Sequence, residues 1–169
     1  MLCHWQTTSM AGSTNIEIER KFLLASEEWR REVTGSRPIT QVYLASTAVS
    51  QVRLRRYGAA AFITVKGRRK GLARPEIEAE IPPEFVDAVL AAGLSPVPPL
   101  VKVRHVVPVG EFCFEIDEYG GDNEGLVTAE VELPTEDADF PRPGWLGTDV
   151  SGDVRYGNVY LAQHPYKSW

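Results

Sequence analysis

Apolar and polar residues alternate with period two over much of this chain, the mark of half-buried strands. In Asn15–Leu24 (NIEIERKFLL), Ile16, Ile18, Arg20 and Phe22 fall on one side, and Glu17, Glu19 and Lys21 on the other. The same alternation predicts strands at 39–45, 49–57, 62–66, 74–81, 100–107, 111–118 and 126–133. Two helices are expected between them. Ser26 can cap a short one over 27–33, with Gly35 beyond its end. Pro83 suits the first turn of another through 84–92, where Phe85, Val86, Val89 and Leu90 form an apolar stripe and Gly93 is placed to stop it. Segment 67–73 (GRRKGLA) reads as a mobile basic loop and 120–125 as a hairpin loop. From Pro134 the chain reads as an acidic loop, and its end, 155–162, could cover one mouth of a barrel. Eight strands joined mostly by short turns give an α+β fold, mainly antiparallel β, closed as an eight-stranded barrel with the helices outside.

The alternation alone does not say which face is inside and would also suit a barrel with its charges in water, but two features hint that the charges turn inward. Arg53 and Arg55 share a face on one strand, as do Lys102 and Arg104 on another. Acids alone occupy the corresponding face at Glu115–Asp117 and at Glu130–Glu132. A merely soluble surface tends to mix signs within each strand face. The helical stripes also need an apolar sheet surface to cover, so helices packed outside would turn the charges inward. Paired carboxylates such as Glu17 and Glu19 then sit ~6–7 Å apart, and repel unless a cation lies between them.

Composition narrows the partners. At 169 residues the chain is long enough for one domain with a sizeable core. Eighteen Lys and Arg against 23 Asp and Glu give a net charge of −5, which argues against nucleic acid. Only Cys3 and Cys113 are present, so reduced thiols and a cytoplasmic location are expected. No apolar run approaches the ~18 residues of a membrane span. Residues 1–14 have no signal-peptide pattern and are expected to be a disordered extension, with Met10 as an alternative start, before a single domain over 15–169.

A lumen lined by Lys, Arg and paired Glu suits a polyanion bound through metal ions. Lys and Arg orient phosphate oxygens, and carboxylates hold Mg²⁺ or Mn²⁺. Here the motifs reach a family. EIERK (Glu17, Glu19, Lys21), VRLRR (Arg53, Arg55), TVKG (Lys66), RPEIEAEIP (Arg74, Glu76, Glu78, Glu80), KVRH (Lys102, Arg104), FEIDEY (Glu115, Asp117) and AEVELP (Glu130, Glu132) occur in order. Together they resemble the CYTH family of triphosphate tunnel metalloenzymes, most of all its small bacterial inorganic triphosphatases, from about Asn15 to the end.

The resemblance implies metal-dependent hydrolysis of inorganic triphosphate inside an eight-stranded tunnel. Lys21, Arg53, Arg55, Lys66, Lys102 and Arg104 would hold the triphosphate. Glu17, Glu19, Glu130 and Glu132 would hold Mg²⁺ or Mn²⁺, with Glu76, Glu78 and Asp117 binding metal or orienting water. Lys21 is also a candidate general base, should crowding by cations lower its pKa. Arg74 and Glu80 are as well explained as structural charges. An adenylate cyclase, or a thiamine or nucleoside triphosphatase, would use the same tunnel, and a non-catalytic polyphosphate-binding module would use part of it. A homodimer through an outer face stays open. His4, His105 and His164 lack ligand spacing, and Cys113 is expected as a small filler. Tyr43, Tyr119, Tyr156 and Trp145 are expected to pack in the core or at the rim.

Overall fold

The computed structural model describes residues 15–169. The expectation of disorder in residues 1–14 lies outside them. The strands are β1 (Asn15–Leu24), β2 (Gly35–Ser46), β3 (Ser50–Tyr57), β4 (Ala60–Gly67), β5 (Ala73–Ile81), β6 (Leu100–Val109), β7 (Phe112–Tyr119), β8 (Val127–Glu132) and β9 (Leu146–Asp149). All pairings are antiparallel in the order β5-β4-β3-β2-β6-β7-β8-β1, and β1 pairs back onto β5 to close an eight-stranded barrel. The first half of β1 makes that closure, with Glu17 opposite Arg74, while its second half pairs with β8, with Lys21 opposite Glu130.

The apolar faces point outward and are covered over two patches, while Ile16, Val65, Ile77, Val101 and Val103 stay exposed. Phe22, Val107, Phe114, Ile116, Ala129 and Val131 form one outer core with Trp29, Phe140 and Trp145. Trp29 comes from a 3₁₀ helix, Glu28–Glu32, where the pattern predicted a longer helix; Glu27 stands at its N-cap, and the Ser26 hydroxyl accepts only a long bond from the Glu28 N–H (3.4 Å). Helix α1 (Pro83–Ala91) covers a second patch, packing Val86 and Val89 on Val42, Leu54 and Ala61. Gly93 ends it at φ 64°, a backbone state that costs glycine little. The rest of the predicted stripe, Phe85 and Leu90, stays at least partly exposed.

Two expectations change. The tail is not all loop: β9 joins the β1 edge, with Leu146 opposite Leu24, and Trp145 fills the outer core. Four residues are too short for a period to register, so only pairing reveals this strand. Strand β2 also begins at Gly35 rather than Ile39, because Gly35 to Gln41 pair with β6 although Pro38 lacks an N–H. At the barrel's end, α2 (Asn158–Gln163) sets Leu161 against Leu100, Tyr119 and Leu126, closing one mouth with apolar side chains as residues 155–162 suggested. Among the described residues, no helix is long and apolar enough to cross a membrane.

Candidate functional site

The barrel interior forms a cavity of about 1220 Å³. Strand alternation alone carries Glu17, Glu19 and Lys21 of β1 into it, and the antiparallel register does the same for each neighbour. Every residue expected at the site lines this cavity except Lys102 and Asp117, which lie behind its wall.

Four charge clusters organise the interior. Near α2, the Lys21 ammonium lies 2.7 Å from Glu130 Oε1 and donates to the Tyr156 carbonyl at 3.0 Å. Arg104 is a hub. Its Nε and Nη2 each donate to Asp117 at 2.7 Å, Nη2 also reaches Glu130 at 2.7 Å, and Nη1 meets Glu115. Asp117 is also bonded to Lys102, and both side chains are fully buried. On the β3–β4–β5 wall, Glu78 accepts from Thr64 at 2.7 Å and from Arg55 at 3.1 Å, and Thr64 accepts from Arg53 at 3.1 Å. Where β1 meets β5, Lys66 bridges Glu17 (2.8 Å) and Glu76 (2.7 Å), and Arg74 Nε donates to Glu17 at 2.9 Å.

The protonation states follow from these neighbours. Burial would raise Glu17, but Lys66 and Arg74 hold it at about 2. Burial would likewise raise Asp117 and Glu130, yet Arg104 with Lys102, and Lys21 with Arg104, keep them below the usual carboxylate range. Glu19 behaves oppositely: burial and the charges of Glu130 and Glu17 push it up. Glu132, its register partner on β8, is raised by burial and by Glu17, Glu115, Glu76 and Glu19. Burial would lower Lys21, but Glu130 and its other neighbours carry it above the usual lysine range. It stands among anions, so the condition for its acting as a general base is not met. The lysine that falls is Lys102, to about 8, through burial and through Arg104 and Lys21 against the pull of Asp117.

Among the described residues, no three His, Cys, Asp or Glu side chains converge as metal ligands. Most of the carboxylates are instead occupied by Lys and Arg. The donor set nonetheless fits a hard divalent cation: Glu19 and Glu132 face each other across β1 and β8, and both are raised by burial and by nearby carboxylates, a situation a cation relieves.

Arg69, expected only as part of a basic loop that draws in the anionic substrate, and two aromatic rings join the site. Arg69 of the basic loop reaches Glu19, Nη2 to Oε1, at 3.2 Å. Tyr57 and Phe62 flank the Arg55 guanidinium, at 5.4 and 5.3 Å from their ring centroids. Both rings share the alternation face of Arg55 or Lys66, so the signal was present. Arg74 spends its charge on Glu17, and Glu80 stands at the exposed rim of the cavity. His105 lies outside, against Trp29 and Glu118. Tyr43, which donates to Gln41 at 2.9 Å, is buried, as are Tyr119 and Trp145. Cys113 lines the cavity on the same strand face as Glu115.

Comparison with known proteins agrees with this geometry. An inorganic triphosphatase of Acetivibrio thermocellus is 38% identical over 153 residues, covering 90% of this chain and 97% of that protein. One from Nitrosomonas europaea is 34% identical over 149 residues, covering 86% and 96%. A crystal structure of an inorganic triphosphatase superposes with a TM-score of 0.61 at 32% identity, over 86% of this chain and 93% of that one. A Hippeastrum protein described as a putative adenylyl cyclase with dominant triphosphatase activity shares the fold, with a TM-score of 0.57 at 20% identity over 70% of this chain and 80% of its own. The CYTH domain model matches residues 15–166, and with relatives of this identity and coverage the chain belongs to the CYTH domain family.

Proposed function

We propose that this chain hydrolyses inorganic triphosphate inside its tunnel, with a divalent metal, releasing orthophosphate and pyrophosphate. The observation that carries the reading is one closed interior holding Lys21, Arg53, Arg55, Lys66 and Arg104 beside a crowded set of carboxylates. A pure anion binder has no use for Glu19 and Glu132, each raised by burial and by neighbouring carboxylates, next to its ligand. The relatives named inorganic triphosphatase support the same substrate.

Glu19 and Glu132, helped by Glu17, Glu76 and Glu130, would hold Mg²⁺ or Mn²⁺. When bound, the metal neutralises phosphate oxygens and stabilises charge as the terminal P–O bond breaks. The protein's own cations do the rest. Arg55 and Lys66 exchange Glu78 and Glu17 for phosphate oxygens, and Arg53 and Arg104 add charge along the chain of phosphates. Lys21, kept protonated, donates to a phosphate oxygen instead of taking a proton from water. Glu78, at hydrogen-bond distance from Thr64 and Arg55, is placed to orient the attacking water and receive its proton. Asp117 and Lys102 act from behind the wall, where Asp117 fixes the Arg104 fork.

The test is phosphate and pyrophosphate release from tripolyphosphate, ATP and thiamine triphosphate with Mg²⁺, Mn²⁺ or EDTA, together with an assay for cyclic AMP. Metal-dependent turnover of tripolyphosphate above all others is expected. The rings of Tyr57 and Phe62 are the feature that would favour an organic triphosphate, and faster turnover of ATP or thiamine triphosphate would replace the reading with that one.

A further inference from the structure

Resting on the metal site just proposed, we propose that Arg69 is a stand-in cation. It neutralises Glu19 until a divalent metal takes that carboxylate, and its guanidinium then turns to the bound triphosphate. The two inward carboxylates that begin β1 are held in different ways. Glu17 is paired by Lys66 of β4 and Arg74 of β5, cations fixed on barrel strands. The ion pair at Glu19 comes from a loop, through one Arg69 nitrogen to one oxygen at 3.2 Å, longer than the ~2.7–2.9 Å of a strong charge-assisted bond. The Arg69 side chain is 34% exposed, so it can leave without opening the barrel.

The loop backbone has no need to move. Lys70 and Ala73 exchange backbone bonds at 2.8 and 3.1 Å, and the Leu72 N–H donates to Glu136 Oε1 at 2.8 Å. At Gly71 (φ +62°) an added Cβ would stand 2.5 Å from Glu136 Oε1, so the turn is clamped against the tail. Arg69 therefore travels by side-chain rotation from an anchored base. A divalent cation offers Glu19 twice the charge and repels the guanidinium. The highly charged triphosphate arriving beside it gives that guanidinium a stronger partner. The same residue thus opposes metal binding in the empty tunnel and aids substrate binding in the filled one.

Replacing Arg69 should therefore move two constants in opposite directions. In full-length Arg69→Gln without substrate, Mn²⁺ binding followed by electron paramagnetic resonance should tighten by about two- to fivefold, the yield of removing one partly exposed competing ion pair. With saturating Mg²⁺, the KM for tripolyphosphate should rise by a similar factor while kcat changes little. The exposed neighbour Arg68 serves as control, and Arg68→Gln should shift neither constant. Mn²⁺ affinity that is unchanged or weaker in Arg69→Gln, at a site present in wild type and lost in Glu19→Gln, would overturn the stand-in role alone. A wild-type protein with no Mn²⁺ site that Glu19→Gln removes would overturn the metal site and this role together.

Discussion

Asp117→Asn gives the sharpest test of how the tunnel holds its charges, because its cost should depend on pH in a defined way. Asp117 is fully buried, accepts two bonds from Arg104 at 2.7 Å and is bonded to Lys102. Two contributions follow. Losing the charged partner of the Arg104 fork costs about 2 kcal/mol. The Lys102 contribution has a ceiling, since a lysine deprived of its counterion can shed its proton. Lys102 already titrates at about 8 in the folded protein. Neutralising it at pH 7 adds on the order of 1 kcal/mol, about one pKa unit. The sum, ~3–4 kcal/mol, falls in the range for breaking a buried pair, and lowers Tm by roughly 8–12 °C for a domain of this size.

The sign of the pH dependence follows by linkage. Below its folded pKa, Lys102 is charged in both folded and unfolded wild type, and the fold bears the full cost of burying that charge. As pH rises past 8 the folded lysine loses its proton before the unfolded one, and that cost shrinks. At pH 9 it is neutral in wild type and variant alike, so the Lys102 share of the difference vanishes. Urea unfolding at pH 7 and pH 9 should show the cost of Asp117→Asn falling by on the order of 1 kcal/mol with an unchanged m-value. A cost below about 1 kcal/mol at pH 7, or one that grows at pH 9, would refute the reasoning.

Two further substitutions test elements that position the site. Leu161→Ala removes a fully buried side chain from the apolar plug formed with Leu100, Tyr119 and Leu126 and should cost about 2–5 kcal/mol in chemical denaturation; a loss under about 1 kcal/mol would mean α2 does not seal that mouth. Gly147→Ala would place a Cβ 2.7 Å from the Leu23 carbonyl oxygen and so force β9 away from β1, with a loss of about 1–3 kcal/mol expected from thermal melts, whereas an unchanged Tm would show that the strand is dispensable.

Much of the fold was legible because strand alternation and side-chain chemistry point the same way. Glu17, Glu19 and Lys21 could share a face only in a strand, and their unmixed counterparts on other strands implied an interior with opposed walls. What was not legible depended on depth and on contacts distant in sequence. Lys102 and Arg104 look equivalent as alternating bases. Yet Arg104 reaches the cavity while Lys102 stops behind its wall, because the apolar plug of Leu100, Tyr119 and Leu161 occupies that end of the barrel. The same depth decides which lysine titrates near neutrality, since Lys21 meets Glu130 while Lys102 shares Asp117 with Arg104. Arg69 was readable as a basic loop residue, but its approach to Glu19, fifty positions away, is set by the turn clamped on Glu136. Strand β9 was missed because four residues carry too little period to stand out from loop.

The most direct measurement of the central claim is a ³¹P NMR time course of tripolyphosphate with the protein and Mg²⁺, repeated with EDTA and with Glu19→Gln. The triphosphate signal should give way to equal amounts of orthophosphate and pyrophosphate. That conversion should stop in EDTA and fall at least about a hundredfold in the folded variant, as when one group that stabilises transition-state charge is removed. Tripolyphosphate left intact by the folded wild-type protein with Mg²⁺, or cleaved as fast by Glu19→Gln as by wild type, would contradict it.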